Sequence, residues 1–96
     1  MVKPATTAAK PYSVYIVLCA DNTLYTGIAV DVQTRVKEHN LSPSGAKYTR
    51  ARRPVALVYA KQHDSRSDAL KAEYFIKRLS REQKNVLIST AHISSA

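Results

Sequence analysis

Three polar side chains occupy positions on the apolar stripes of predicted helices, where an apolar side chain is expected. Arg35 and His39 share one helical stripe with two valines, at the spacing i, i+3, i+4 and i+7. Glu73 lies among alanines and an isoleucine on the stripe of a later helix. A guanidinium binds oxyanions through two parallel hydrogen bonds, an imidazole moves a proton near neutral pH, and a carboxylate is a ligand that Mg²⁺ prefers. These residues therefore predict a polar site for an anion, a proton and a divalent cation.

A simpler interpretation exists for each of these three residues. Arg35 and His39 can lie at the edge of their stripe and extend their polar ends into water. Glu73 can form a surface ion pair with Lys77, one helical turn away, which stabilises a helix by roughly 0.2–0.5 kcal/mol. The two interpretations differ in whether the side chains share one site.

The elements that must position these residues follow from apolar periodicity and from turn and capping residues. The expected elements are a strand at 12–19, a turn at 20–23, a strand at 24–29, a helix at 32–39, a loop at 41–54, a strand at 55–61, a helix from Ser65 or Ser67 to 79, and a helix at 81–89. The first strand is apolar on both faces, and the turn contains Asp21 and Asn22, which tolerate left-handed backbone. Asp31 is the expected N-cap of the first helix, and Ser80 with Gln83 predicts a capping box for the last one.

The expected loop at 41–54 contains a cluster of basic residues around an aromatic one. These residues are Lys47, Tyr48, Arg50, Arg52 and Arg53, which we name the cationic segment. Clustered cations interleaved with an aromatic side chain suit a phosphate backbone with one stacked base. The alternative is a solvated connection with no ligand. We expect the cationic segment to bind nucleic acid.

Length, charge and composition limit the class of protein. Ninety-six residues allow one small domain, and a formal net charge of +8 with pI near 9.9 favours nucleic acid as partner over an acidic protein or a membrane. No run approaches the roughly twenty apolar residues of a membrane span, and two glycines are too few for a Gly-rich nucleotide loop.

With Cys19 as the single cysteine, no internal disulfide forms, and a cytoplasmic location is expected. Residues 1–11 are expected to be a disordered leader and residues 90–96 a flexible tail.

Two tyrosine-centred segments, a helix and a later loop resemble a known nuclease core. They are Ser13-Val14-Tyr15, then Tyr25-Thr26-Gly27 ten residues on, then Arg35 with His39 one turn later, and Gly-Ala-Lys-Tyr-Thr-Arg at 45–50. The set resembles the GIY-YIG endonuclease superfamily, most closely its small stand-alone bacterial members, over roughly residues 12–88. Ser13 and Thr26 replace the glycine and isoleucine of the name motif, at positions that carry no chemistry in the family.

The resemblance implies a fold, an activity and a set of site residues. The fold is α+β, a small three-stranded antiparallel sheet flanked by about three helices, in a nuclease domain over residues 12–89. The activity is divalent-metal-dependent hydrolysis of phosphodiester bonds in DNA, with Mg²⁺ or Mn²⁺ bound by Glu73. The catalytic set is Tyr15, Tyr25, Arg35, His39, Glu73 and Asn85. Asn85 enters only through the resemblance, which pairs it with Glu73; otherwise it is an ordinary surface residue.

The two tyrosines have a specific expected role. Tyr15 and Tyr25 lie on paired strands, and cross-strand neighbours are about 5 Å apart. We expect Tyr15 to act as general base with His39 accepting its proton, and Tyr25 to orient water or phosphate; the two tyrosines can also exchange roles. The free pKa of tyrosine is about 10, so nearby cations and the metal are expected to lower it. The alternative is that both tyrosines pack in the core with hydroxyls bonded to the backbone.

The expected substrate form follows from the lack of an added specificity domain in this sequence. Single-stranded or branched DNA exposes bases that can stack on Tyr48, and we expect one of these forms to be cut. A different class of function also fits: a module of the same fold that binds DNA or a structured RNA without cutting it. Metal-dependent cleavage products distinguish the two.

Overall fold

The fold is described by a computed structural model of residues 10–91. Its elements are β1 (Tyr12–Leu18), β2 (Leu24–Ala29), α1 (Val32–Leu41), α2 (Lys47–Arg50), β3 (Ala56–His63), α3 (Arg66–Lys77) and α4 (Arg81–Thr90). Most of the expected leader and tail lies outside the described residues, and the domain limits stay predictions. Within residues 10–91 no helix is both long and apolar enough to cross a membrane.

The three strands form one antiparallel sheet in the order β2-β1-β3. β1 is central because its side chains are apolar in both directions. Val14 and Ile16 pack on one face beneath α3 and α4, whereas Tyr15 and Val17 pack on the other face beneath α1. Cys19 is buried on this second face as a free thiol whose pKa is raised by burial. The predicted α+β class with a three-stranded antiparallel sheet is confirmed.

The turn and capping residues act where the sequence predicts them. Asn22 has a positive φ of 69° in the turn between β1 and β2. The Asp31 carboxylate accepts a hydrogen bond from Thr34 N at the start of α1. Ser65, rather than Ser67, caps α3, and Ser80 with Gln83 forms the predicted capping box of α4.

The segment between α1 and β3 differs from the expected loop because it contains α2, a fourth helix. Ala46 O accepts hydrogen bonds from the N–H groups of Thr49 and Arg50, which closes one helical turn. The Arg53 guanidinium donates to the main-chain carbonyls of Glu38, His39 and Ser42. Glu38 O also accepts the C-cap hydrogen bond from Ser42 N, and His39 O lies in the last turn of α1, so Arg53 joins the end of α1 to the segment that leads into β3.

Arg53→Ala should lower the free energy of unfolding by about 2 kcal/mol, because carbonyls at the end of α1 lose a charged donor. Arg50→Ala is the matched control: its side chain is exposed on α2, and the change should stay within about 0.5 kcal/mol. Urea unfolding of the three proteins measures both effects. Equal stability of Arg53→Ala and Arg50→Ala would contradict this role of Arg53.

Candidate active site

A buried tyrosine on β1, a histidine on α1 and a threonine on α2 form a continuous hydrogen-bonded network. The Tyr15 hydroxyl lies 2.6 Å from Nε2 of His39, and Nδ1 of His39 lies 2.9 Å from Oγ1 of Thr49. The exposed fraction is 1% for Tyr15 and 0% for both His39 and Thr49. Water therefore does not replace any of these contacts, and each polar atom relies on its protein partner.

The protein has two glycines, and both lie where the backbone passes very close to Tyr15 or to the turn of α1 that contains His39. A Cβ at position 27 on β2 would lie 2.6 Å from the Tyr15 hydroxyl oxygen and 2.8 Å from Cζ of the same ring. A Cβ at position 45 would lie 2.6 Å from Glu38 O and 2.9 Å from Cα of His39. All four distances are shorter than real Cβ contacts, so a side chain at either position would force neighbouring atoms to move.

The Tyr15 pKa is raised, contrary to the expectation that the pocket lowers it. Burial is the largest cause, and the neighbouring Tyr25 and Glu73 act in the same direction. The Arg35 guanidinium favours the phenolate but does not offset burial, so the pKa of Tyr15 is about 12. In the protein without metal or substrate, the proton therefore resides on Tyr15 at neutral pH.

The His39 pKa is shifted in the opposite direction. Burial lowers it first, and the positive charges of Arg35 and then Arg53 lower it further, whereas Glu38 partly opposes them. His39 is therefore a neutral imidazole at neutral pH. A neutral imidazole has one ring nitrogen that can accept a proton, and Nε2 lies in hydrogen-bond contact with the Tyr15 phenol.

Tyr25 lies beside this pair on β2, the strand that pairs with β1 as expected. Tyr25 is opposite Val17 on β1, and Gly27 is opposite Tyr15, so the two tyrosines are diagonal rather than direct neighbours. They meet at the imidazole of His39, whose ring centroid lies 5.8 Å from that of Tyr15 and 5.4 Å from that of Tyr25.

The Arg35 guanidinium lies close enough to influence the Tyr15 hydroxyl and is held in place by two acceptors. Its Nη1 donates to Oε1 of Glu38 at 2.8 Å and to the carbonyl of Ser44 at 3.1 Å. One nitrogen of the guanidinium thus serves both protein contacts, and the other donors of the fork can face an oxyanion.

Glu73 projects from α3 with a side chain 19% exposed. Its carboxylate forms an ion pair with Lys77 at 3.3 Å, as the simpler interpretation of the sequence required, and it also raises the pKa of Tyr15. Among residues 10–91, no three His, Cys, Asp or Glu side chains gather as a metal site. A single carboxylate still fits Mg²⁺, which keeps several waters and takes further oxygens from a substrate phosphate.

Asn85 is exposed on α4 and accepts a hydrogen bond from Nε of Arg81 at 3.1 Å. Arg81 also donates to Asn22 O in the turn between β1 and β2, at 2.7 Å. These bonds place Asn85 near that turn through Arg81, and its catalytic role stays a prediction.

The cationic segment divides into two groups. Lys47 and Arg50 are exposed, whereas Arg52 donates to Oδ2 of Asp21 at 2.9 Å and places its guanidinium 3.9 Å from the centre of the Tyr48 ring. The Tyr48 ring also stacks with Tyr25, at 5.7 Å between centroids and an interplanar angle of 25°. The stack connects the segment to the buried site. Nucleic-acid binding by the segment stays a prediction.

Sequence reasoning missed Thr49, although it lies inside the Gly-Ala-Lys-Tyr-Thr-Arg stretch. A threonine in an expected surface loop gives no signal of complete burial, and its ten-residue separation from His39 does not match a helical repeat.

The three-stranded α+β fold agrees with comparison to known proteins. The profile of the GIY-YIG catalytic domain matches residues 11–85. The chain therefore belongs to the GIY-YIG family of nuclease domains.

Similar proteins are named UPF0213 proteins. The one from Desulfotalea psychrophila is 54% identical over 78 residues, which cover 81% of this chain and 71% of that protein. The one from Halobacterium salinarum is 53% identical over 76 residues, which cover 79% of this chain and 97% of that protein. The solution NMR structure of a UPF0213 protein from Bacillus halodurans is 44% identical with a TM-score of 0.55 and covers 83% of this chain and 84% of its own.

The lowered pKa of His39 predicts a pH dependence of stability. In the unfolded chain the imidazole titrates near 6.5, so below that pH the unfolded chain binds a proton that the folded protein excludes. The contribution of neutral His39 is complete above about pH 6.5 and is lost as the pH falls below this value. The difference in unfolding free energy between the parent and His39→Gln should therefore decrease from pH 7 to pH 5.

Urea unfolding at pH 8, 7, 6 and 5 measures this difference. An NMR titration of His39 in the parent protein provides the same information if His39→Gln does not fold. A difference independent of pH, or a His39 titration at or above the ordinary value, would show that the imidazole is not held neutral.

Proposed function

We propose that this protein is a divalent-metal-dependent DNA endonuclease. The observation that carries the proposal is the 2.6 Å hydrogen bond between the Tyr15 hydroxyl and a neutral His39, with Arg35 close to the same hydroxyl. Membership of the GIY-YIG family and the net charge of +8 support nucleic acid as the substrate.

Tyr15 and His39 would act as a proton relay. Tyr15 takes a proton from the attacking water while its own proton passes to Nε2 of His39, so a full negative charge does not build up on the phenol. The water oxygen forms a bond to phosphorus, the bond from phosphorus to the leaving sugar oxygen breaks, and that oxygen takes a proton from solvent. This order of events reconciles a raised tyrosine pKa with a role as base.

Arg35 would bind the phosphate and open the site. Its planar donors suit the oxygens of a phosphodiester and stabilise charge that develops on them. Tyr15 is 1% exposed in the free protein, so water reaches its hydroxyl only after a neighbouring side chain shifts, and Arg35 is one side chain that interacts with this hydroxyl. Attraction of Arg35 to a phosphate would provide this shift.

Glu73 would hold Mg²⁺ or Mn²⁺. When bound, such an ion neutralises charge on the phosphoryl oxygens. Lys77 must release the carboxylate, and this costs little because the Lys77 side chain is 54% exposed and its ion pair is weak.

Glu73→Gln should lower the rate of DNA nicking by roughly a hundredfold or more, because the amide does not replace a carboxylate as a ligand for Mg²⁺. Arg35→Ala should have an effect of similar size. Glu82→Gln on the exposed surface of α4 is the matched control and should cut DNA at the parent rate.

The assay uses labelled DNA with Mg²⁺ or Mn²⁺ and an EDTA control, and circular dichroism checks that each variant is folded. Cleavage by Glu73→Gln at the parent rate would refute the metal role of Glu73. Binding of DNA by the parent without any metal-dependent product would instead support a module that binds nucleic acid and does not cut it.

The preferred DNA form should be single-stranded or branched. Lys47 and Arg50 are exposed and suit a flexible phosphate backbone, and an unstacked base would take the place of the Arg52 guanidinium over the Tyr48 ring. Unlabelled single-stranded or flapped DNA should compete for cleavage more strongly than an equal amount of plain duplex. Stronger competition by the duplex would refute this preference.

A further inference from the structure

We propose that Thr49 is a positioning residue that fixes the proton of the His39 imidazole on Nδ1 and so leaves Nε2 free to accept the proton of Tyr15. The effect of Thr49 on DNA cleavage rests on the proposed function. The arrangement of hydrogens is a property of the protein alone and is tested separately.

The hydrogens of the buried chain have one assignment that satisfies them all. The Thr49 hydroxyl donates to Ala46 O at 2.9 Å, so its oxygen keeps lone pairs for a donor. Nδ1 of His39, at 2.9 Å from that oxygen, is then the donor, and Nε2 accepts the Tyr15 hydroxyl at 2.6 Å. Every hydroxyl and ring hydrogen has an acceptor in this arrangement.

The other tautomer leaves a buried hydrogen without an acceptor. If Nε2 carried the proton, it would donate to Tyr15, and the phenol hydrogen would have no protein acceptor within residues 10–91. Only the backbone N–H of Ala46, 3.3 Å from Nδ1, favours that tautomer. Ala46 is only partly buried, so leaving its N–H without this contact costs less than leaving the phenol of Tyr15 unpaired.

Thr49 and Ala46 N–H thus compete for Nδ1, and the competition defines the experiment. Thr49→Val keeps the shape of the side chain but removes the acceptor, so Ala46 N–H should determine the tautomer and the proton should move to Nε2. Thr49→Ser keeps the hydroxyl and is the matched control. The tautomer is read at pH 8 from the long-range proton–nitrogen NMR spectrum of the ¹⁵N-labelled imidazole, without DNA or metal, and His39→Gln identifies the His39 signals.

The expected result is Nδ1–H in the parent and in Thr49→Ser, with Nε2–H populated in Thr49→Val. Nicking by Thr49→Val should be roughly tenfold slower or more, the loss expected when a general base is misdirected, with recovery in Thr49→Ser. An Nε2–H imidazole in the parent overturns the proposal without any variant, and so does an unchanged Nδ1–H imidazole in Thr49→Val. If the parent does not cut DNA, the proposed function fails, while the spectra still decide the role of Thr49.

Discussion

The complete burial of the His39 imidazole is the constraint on which the surrounding structure depends. Water does not reach either ring nitrogen, so the protein must supply a partner on each side, and Tyr15 and Thr49 are those partners. Gly27 allows β2 to lie close to the Tyr15 ring, and Gly45 allows the segment before α2 to lie close to the backbone of α1 at Glu38 and His39. The central strand, the hairpin and the segment after α1 are therefore fitted around one aromatic ring.

The same burial determines the charge state of the site. Two guanidiniums, those of Arg35 and Arg53, oppose a proton on His39, and burial opposes a negative charge on Tyr15. The neutral pair is the state that an interior with few water contacts favours. A relay through this pair would therefore depend on charges that arrive with the substrate, which would link proton transfer to the binding of phosphate and metal.

Local signals in the sequence predicted most of the fold, and contacts between distant residues account for what they missed. The N-cap at Asp31 and the strand that is apolar on both faces depend on residues that are adjacent in sequence. The sequence therefore predicts them directly. The helix α2 has four residues and no side-chain cap at Ala46, so neither periodicity nor capping indicates it. The diagonal register of Tyr25 depends on how β1 and β2 pair, and the burial of Thr49 depends on the packing of α2 against α1. The raised pKa of Tyr15 follows from burial, which residue types alone do not specify.

The distribution of positive charge shows why a count of basic residues overstates the surface available to a polyanion. Arg53 binds carbonyls at the end of α1, and Arg52 pairs with Asp21 while it covers the Tyr48 ring. Both guanidiniums still contribute to the long-range attraction of DNA, but a new contact to phosphate would have to replace contacts already made. Lys47 and Arg50 have exposed side chains that can neutralise phosphates and release counterions without such a loss. The cationic segment therefore combines two residues that hold the fold and the stack in place with two that remain available to a ligand, a division that follows from packing and not from residue type.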